Sequence, residues 1–362
     1  MPHRSAGRRF AAEATHALSS LFRLAPAPGP RWAIGLRAAI AMATPIAVMS
    51  LAGRPDLGFQ AATGAFVALY ATHLPVTERL RVLPFVAGGL LAASVLGALA
   101  GPSAVAALVG LAVVSIAAAA AMFGFRVGPP GPLFVVLVFG LSAHIVASGA
   151  DAATYVAAVA CGILFAALVS LTPLLMPSRR RVPARPLRQV LPGPAWPAGE
   201  RVLLIRVASV TVAGIALGLV LDPDRAYWIV GAAVAVVGVA ADRRAAFTRG
   251  LHRMIGTIVG AGVYLLLAPL PLPALWLALV LAALQFTIEL FVVRNYALAL
   301  VFITPLVLLL TGAATGAVDT VAVAAERVID TLAGAALGAL SGVLHPRGDG
   351  TADDVTHEVA RG

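Results

Sequence analysis

The chain has 362 residues, of which 60% are hydrophobic and 12% charged, with a formal net charge of +10, whereas soluble domains run at roughly 45–50% apolar and about 25% charged. That composition, with a mean hydropathy of +0.95, excludes an ordinary soluble enzyme and predicts a polytopic membrane protein. The positive charge does not point to nucleic acid, because the arginines fall between apolar runs and build no aromatic-interleaved basic face. All the basic residues are Arg and none is Lys, a genome-composition bias that implies no mechanism.

Residues 1–30 read as a cytoplasmic amphipathic arm, with Phe10, Leu18, Leu21, Phe22 and Leu24 set among arginines and a stop at Pro26 to Pro30; the plainer reading is a disordered tail. No apolar core precedes Pro26, so a cleaved signal peptide is not expected. Crossing ~30 Å of hydrocarbon takes ~20 residues. Runs 32–52, 57–73, 84–100, 103–125, 132–148 and 153–176 supply a first set of six, within a half spanning 31–176. Residues 177–200 break the pattern with Arg179, Arg180, Arg181, Arg185 and Arg188 among Pro183, Pro186, Pro192, Pro194 and Pro197, and read as a cytoplasmic linker too polar to span and too Pro-rich to fold alone. A second half, 201–345, holds runs 202–221, 227–241, 254–268, 274–291, 296–312 and 321–344, and 346–362 is a cytoplasmic tail. The predicted fold is therefore all-α, with about twelve transmembrane helices in two six-helix repeats.

Orientation follows from the arginines, which stay cytoplasmic in short loops. With the N-terminus inside, Arg79, Arg81, Arg126, the linker, Arg243 to Arg253, Arg294 and the tail share one side, and only Arg54 and Arg225 lie opposite. Both termini are then cytoplasmic. Arg37 aligns with Arg206, and Arg81 and Gly88 with Arg249 and Gly256, at nearly the same spacing. An even number of spans per half makes the repeat parallel, with a pseudo-two-fold axis along the membrane normal.

Charges inside apolar runs demand explanation, since each costs ~2.5–3.5 kcal/mol at mid-bilayer. Arg37 and Arg206 lie one to two turns inside their helices: either each snorkels to the headgroups, or the two face each other as a station for an anionic substrate. Arg327 and Asp330, with Glu326 beside them, read as a self-neutralising set or as a substrate contact. Glu289 is a surface carboxylate or a proton-coupling group, and His144 a packing residue or a proton relay. Tyr227 and Trp228 suit an interfacial aromatic belt or stacking against an aromatic substrate. Thr304-Pro305 predicts a kink beside a pathway, with Pro45 and Pro173 as further kinks or breaks. Gly214 and Gly218, Gly256 and Gly260, and Gly334, Gly338 and Gly342 fall at four-residue spacing, as close helix contacts require.

The chain carries no catalytic triad, phosphate loop or HExxH helix, so neither an enzyme nor a self-contained ATP-driven pump is expected. The single Cys161 and seven scattered His predict no disulfide, no metal and no cofactor.

From about Arg201 to Pro346, Arg206, Tyr227-Trp228, Arg249, Arg253, Gly256-Thr257, Gly260, Asn295-Tyr296-Ala297, Phe302 to Pro305, Glu326 to Thr331 and Gly334 resemble the fusaric-acid-resistance and aromatic-acid-exporter family. The first half keeps only Arg37, Glu78-Arg79-Leu80-Arg81 and scattered glycines, has Phe59 where Trp228 aligns, and lacks counterparts of Arg253, Arg327 and Asp330. The resemblance implies a bacterial inner-membrane secondary transporter exporting organic, often aromatic, acids. A passive anion channel is suggested by a distant similarity to plant malate channels, and a membrane scaffold is the reading without transport. Membrane lipid, a small organic anion, and a second copy of the chain or a periplasmic adaptor are the partners implied. The pathway residues proposed on this reading are Arg37, Arg206, Tyr227, Trp228, Glu289, Thr304, Arg327 and Asp330.

Overall fold

In hydrocarbon every backbone N–H and C=O must find its partner inside the chain, so the apolar runs become helices. The structure, a computed structural model, describes residues 15–26, 29–238, 242–316 and 319–344, and no strand occurs among them. The first half contains α1 (Trp32–Leu51), α2 (Pro55–Ala62), α3 (Val76–Ala100), α4 (Ala104–Gly124), α5 (Leu133–Ala147) and α6 (Ala152–Leu171). The second contains α7 (Ala198–Leu221), α8 (Ala226–Val237), α9 (Arg243–Leu267), α10 (Ala274–Phe291), α11 (Tyr296–Thr315) and α12 (Thr320–Leu340). Polar side chains set where several of these begin. The amides of Thr154, Ala245, Leu298 and Ala322 donate to the side chains of Asp151, Asp242, Asn295 and Asp319 at 2.8, 2.7, 2.9 and 2.9 Å.

Among the described residues nine helices are long and apolar enough to cross a membrane. Three of the twelve expected runs are shorter. The 57–73 run folds as α2 followed by a 3-10 helix, Thr63–Leu69. α5 has 15 residues and α8 has 12, or roughly 18 Å for α8 at 1.5 Å per residue. Every residue of α8 is buried, so this short helix sits inside protein instead of spanning lipid by itself. α3 and α9 instead begin earlier than their apolar runs and take Glu78, Arg79 and Arg81, and Arg243 to Arg253, onto the helix. Arg and Glu are good helix formers, and nothing stops a helix at the edge of the hydrocarbon.

The pairing of helices has a regular order. In the first half α1 packs on α2, α3 on α5 and α6, and α6 on α2 with its 3-10 extension; in the second, α7 packs on α8, α9 on α11 and α12, and α12 on α8. Between halves, α1 packs on α10 and α7 on α4, α2 on α11 and α8 on α5. Glycines let the tightest of these helices approach. A Cβ on Gly256 would meet the backbone of Ala297, and one on Gly260 would lie 2.8 Å from the Cβ of Thr304, both across the α9–α11 contact. A Cβ on Gly334 would strike the carbonyl of Ile229, and one on Gly338 would lie 2.7 Å from the Cβ of Val236, both across the α12–α8 contact. In the first half Gly162 stands against the carbonyl of Ala61 and Gly64 against the backbone of Ile163, where α6 crosses α2. Helices α1 and α11 run unbroken through Pro45 and Pro305, whereas Pro173 lies where α6 tightens into the 3-10 turn Thr172–Leu175.

The 177–200 segment is docked on the first half. Arg185 donates from Nε and Nη2 to the two carboxylate oxygens of buried Glu78 at 2.8 Å each, and its amide adds a third bond at 3.1 Å. The Trp196 Nε1 donates to the carbonyl of Ala120 at 2.9 Å, and its ring lies against Gly124. Of the N-terminal arm, 1–14 and 27–28 lie outside the described residues, as does the whole 346–362 tail.

Candidate functional site

The α-helical repeat places residues three and four apart on one face, and α9 uses it to present Arg249 and Arg253 together. Both meet Tyr296, the first residue of α11. Arg253 Nη1 donates to the Tyr296 phenol oxygen at 2.7 Å, and the Arg249 guanidinium carbon lies 3.7 Å from the centre of the Tyr296 ring while its Nε donates to the Ala235 carbonyl at 2.8 Å. From α12, Arg327 lies over Trp228 of α8, with its guanidinium carbon 3.9 Å from the ring centre. Trp228 stacks at a tilt on Tyr227, with centroids 4.8 Å apart, and Tyr227 meets His144 of α5 at 5.7 Å. Three arginines and three aromatic rings of the second half thus run in sequence and end on His144 of the first half. Except for half-buried Arg249 and His144, they are nearly fully buried.

Two cavities flank this run. The larger, about 810 Å³, is lined by Arg249 and Tyr296 together with Arg23, Arg244, His252 and Arg294, on the side where α9 and α11 begin. The smaller, about 160 Å³, is lined by Tyr227, His144, Phe139 and Asp224, on the side where α8 begins. Trp228, Arg253, Arg327 and Asp330 line neither cavity and lie between the residues that do.

Charge is poorly compensated here. Among the described residues no ion pair reaches Arg249, Arg253 or Arg327. Nε of Arg253, Nε and Nη1 of Arg327, and both carboxylate oxygens of Asp330 are buried without a hydrogen-bond partner among the described residues. The expected self-neutralising set on α12 does not form. Glu326 is instead taken by Arg225 at 3.0 Å, which also holds Asp222 at 3.1 Å, because the 3-10 turn before α8 brings that arginine onto the outer face of α12. Cation–π contact, at about 2 kcal/mol or more when desolvated, replaces the missing carboxylate for Arg327 in part.

The remaining sequence-predicted residues have other surroundings. Arg206 is fully buried and donates from Nε to Ser341 Oγ at 3.2 Å, at the end of α12. Arg37 is half-buried within electrostatic range of Arg179 and of Arg79, which itself donates to the carbonyls of Ala71, Thr72, Leu74 and Ser170. These neighbours belong to each arginine's own half or, for Arg179, to the adjoining linker. Glu289 is a buried partner of Arg31, at 2.8 Å, across the α10–α1 contact, and not a surface carboxylate. Thr304 is buried against Gly260. Sequence reasoning omitted Arg249, Arg253 and Tyr296 from the pathway, having taken the two arginines only as topology signals and family pattern. Their four-residue spacing was the available clue.

The arm crosses the wider cavity. Asn295 Nδ2 donates to the carbonyls of Leu21 and Arg23 at 2.6 and 3.2 Å, Ser20 and His252 share a hydrogen bond of 2.8 Å, and the Ala25 amide donates to the Arg294 carbonyl at 3.0 Å. Ser20, Arg23 and Ala25 form part of the wall.

Comparison with known proteins adds an independent line. A membrane protein of Bacillus subtilis (strain 168), described as uncharacterized membrane protein YvaC, is 30% identical over 154 residues, covering 41% of this chain and 24% of that protein. The chain therefore spans about a quarter of the length of the curated relative it matches. No solved structure matches. The model of the fusaric acid resistance protein-like family matches residues 211–341. That match bears out the resemblance read from the sequence, and the matched segment includes Tyr227, Trp228, Arg249, Arg253, Tyr296, Arg327 and Asp330.

Proposed function

We propose that the chain exports organic acids, aromatic carboxylates above all, by secondary transport through its second half. On this reading it crosses a bacterial inner membrane twelve times in two parallel six-helix halves with both ends cytoplasmic. The corresponding helix pairings in the two halves support the repeat, and the arginine distribution supports the orientation. The larger cavity is then the cytoplasmic mouth and the smaller one the outer exit.

The observation that carries the proposal is the line of arginines that form no ion pair among the described residues, two of them seated on aromatic rings, between two cavities. A guanidinium lying flat on a ring still presents N–H donors at its edge, and these match a carboxylate in fork geometry. The rings that hold the arginines also offer faces and edges to an aromatic acid. Supplying an anion to this cluster removes the cost of uncompensated buried cations, so the anion is drawn into a region that otherwise repels charge. Outward movement of a monoanion from a cell interior held negative is downhill by ~2.3 kcal/mol per 100 mV, and no second ion is required for driving force. Arg327 and Trp228 occupy the interval between the cavities, the arrangement of a carrier with an occluded centre instead of an open pore. The family description, which names resistance to an organic acid, agrees.

The test compares cells with and without the gene during challenge by a panel of aromatic and aliphatic acids, with extracellular metabolites measured untargeted. Greater extracellular accumulation of aromatic acids with the gene, lost when the membrane potential is collapsed, supports the proposal. Identical profiles would overturn it.

A further inference from the structure

Within the pathway proposed above, on which this inference rests, an unpaired cation and an unpaired anion stand one helical turn apart. Arg327 and Asp330 both project from α12 and are 6% and 1% exposed. Nε and Nη1 of Arg327 and both oxygens of Asp330 lack hydrogen-bond partners. The other charged groups around Asp330 are Arg225, Glu326 and Asp222, and the first two are engaged with each other. Two buried opposite charges three residues apart on one helix face are within mutual reach by side-chain rotation. Leaving both unmet is costly. Here Arg327 lies on Trp228 instead, so its donor fork has two competing destinations on the protein: the Trp228 face, where it is open to an incoming anion, and Asp330, where it is filled.

We propose that Asp330 is a built-in competitor for the substrate carboxylate, taking Arg327 back as the anion leaves. While Arg327 rests on Trp228 its fork receives the substrate. Rotation to Asp330 replaces one carboxylate by another, so the substrate is released without stranding a bare cation in the protein. Asp330 acts through Arg327 and is a positioning residue. It keeps affinity modest, which a transporter needs in order to let go.

The test reconstitutes the full chain in lipid vesicles and measures initial rates of radiolabelled benzoate exchange against benzoate concentration. Asp330→Asn removes the competitor, so the half-saturating concentration falls by roughly threefold or more and the maximal rate falls with it. Asp330→Glu keeps the charge and lengthens its reach, so half-saturation rises above the parent value; it also serves if the Asn variant does not accumulate. Equal half-saturation in parent and variants, or tighter benzoate binding in Glu, overturns the inference. If Arg327→Gln abolishes exchange while both Asp330 variants behave as the parent, only the competitor fails. If exchange is independent of Arg327 as well, the pathway itself fails.

Discussion

Arg253 on α9 donates to the phenol oxygen of Tyr296 on α11 at 2.7 Å, and the same ring carries Arg249 on its face. One tyrosine therefore organises two arginines from adjacent turns, by its edge and by its face. Tyr296→Phe keeps the face and removes the acceptor. A hydrogen bond to a charged group contributes about 1.5–3 kcal/mol, so the variant should melt earlier while Arg249 keeps its seat, and benzoate exchange should fall without vanishing. Melting temperature in detergent and initial exchange rate check both parts. An unchanged melting temperature would mean that the bond is idle.

Arg206 offers the contrast. It is fully buried on α7 and donates to Ser341 at the end of α12, and it lines neither cavity. Arg206→Gln should lower folded yield and melting temperature, because a buried donor set is truncated, while benzoate exchange per folded molecule should stay near the parent value. Size-exclusion yield measured alongside exchange separates the two. Normal yield with lost exchange would place Arg206 in the pathway.

Glycine contacts make a prediction in which the control matters. The control is Gly262 on α9, where a Cβ meets nothing within 4 Å. Gly334→Ala would press a methyl into the carbonyl of Ile229 and should cost folded yield severalfold. Gly262→Ala should be neutral or mildly stabilising, since Ala exceeds Gly in helix propensity by about 0.8–1.0 kcal/mol. Equal yields for the two would remove the close-packing argument.

The linker is held by Glu78, buried and doubly bonded by Arg185. Glu78→Gln keeps the shape but removes the charge that fixes the Arg185 fork. Limited trypsin digestion should then cut the 179–188 stretch faster than in the parent. The same cleavage rate in both would mean that the Glu78 charge does not hold the linker.

Much of this fold was readable from hydropathy, because lipid obliges each apolar run to satisfy its own backbone. What hydropathy does not distinguish is burial in lipid from burial in protein. Runs 57–73, on the short side, and 227–241 therefore read as spans, although Gly64 abuts the α6 backbone and α8 is enclosed on every side. Arg327 and Asp330 were legible singly, since a charge in an apolar run is conspicuous. Their lack of pairing was not, because it depends on Arg327 lying on Trp228 and on Arg225 drawing Glu326 away. Arg249 and Arg253 were hidden by position: beside a loop they serve the orientation rule equally well, and only the early start of α9 carries them toward Tyr296. The Arg31–Glu289 pair depends on α1 meeting α10 across the two halves, a contact that no local pattern reports.

The most direct test of an anion pathway through the second half is benzoate exchange by Arg327→Gln and Arg327→Lys in lipid vesicles, with folded state checked by size exclusion. The account predicts a loss of about tenfold or more for Gln, equivalent to about 1.4 kcal/mol, and incomplete rescue by Lys, whose point charge lacks the fork geometry. Exchange by folded Arg327→Gln at the parent rate would contradict it.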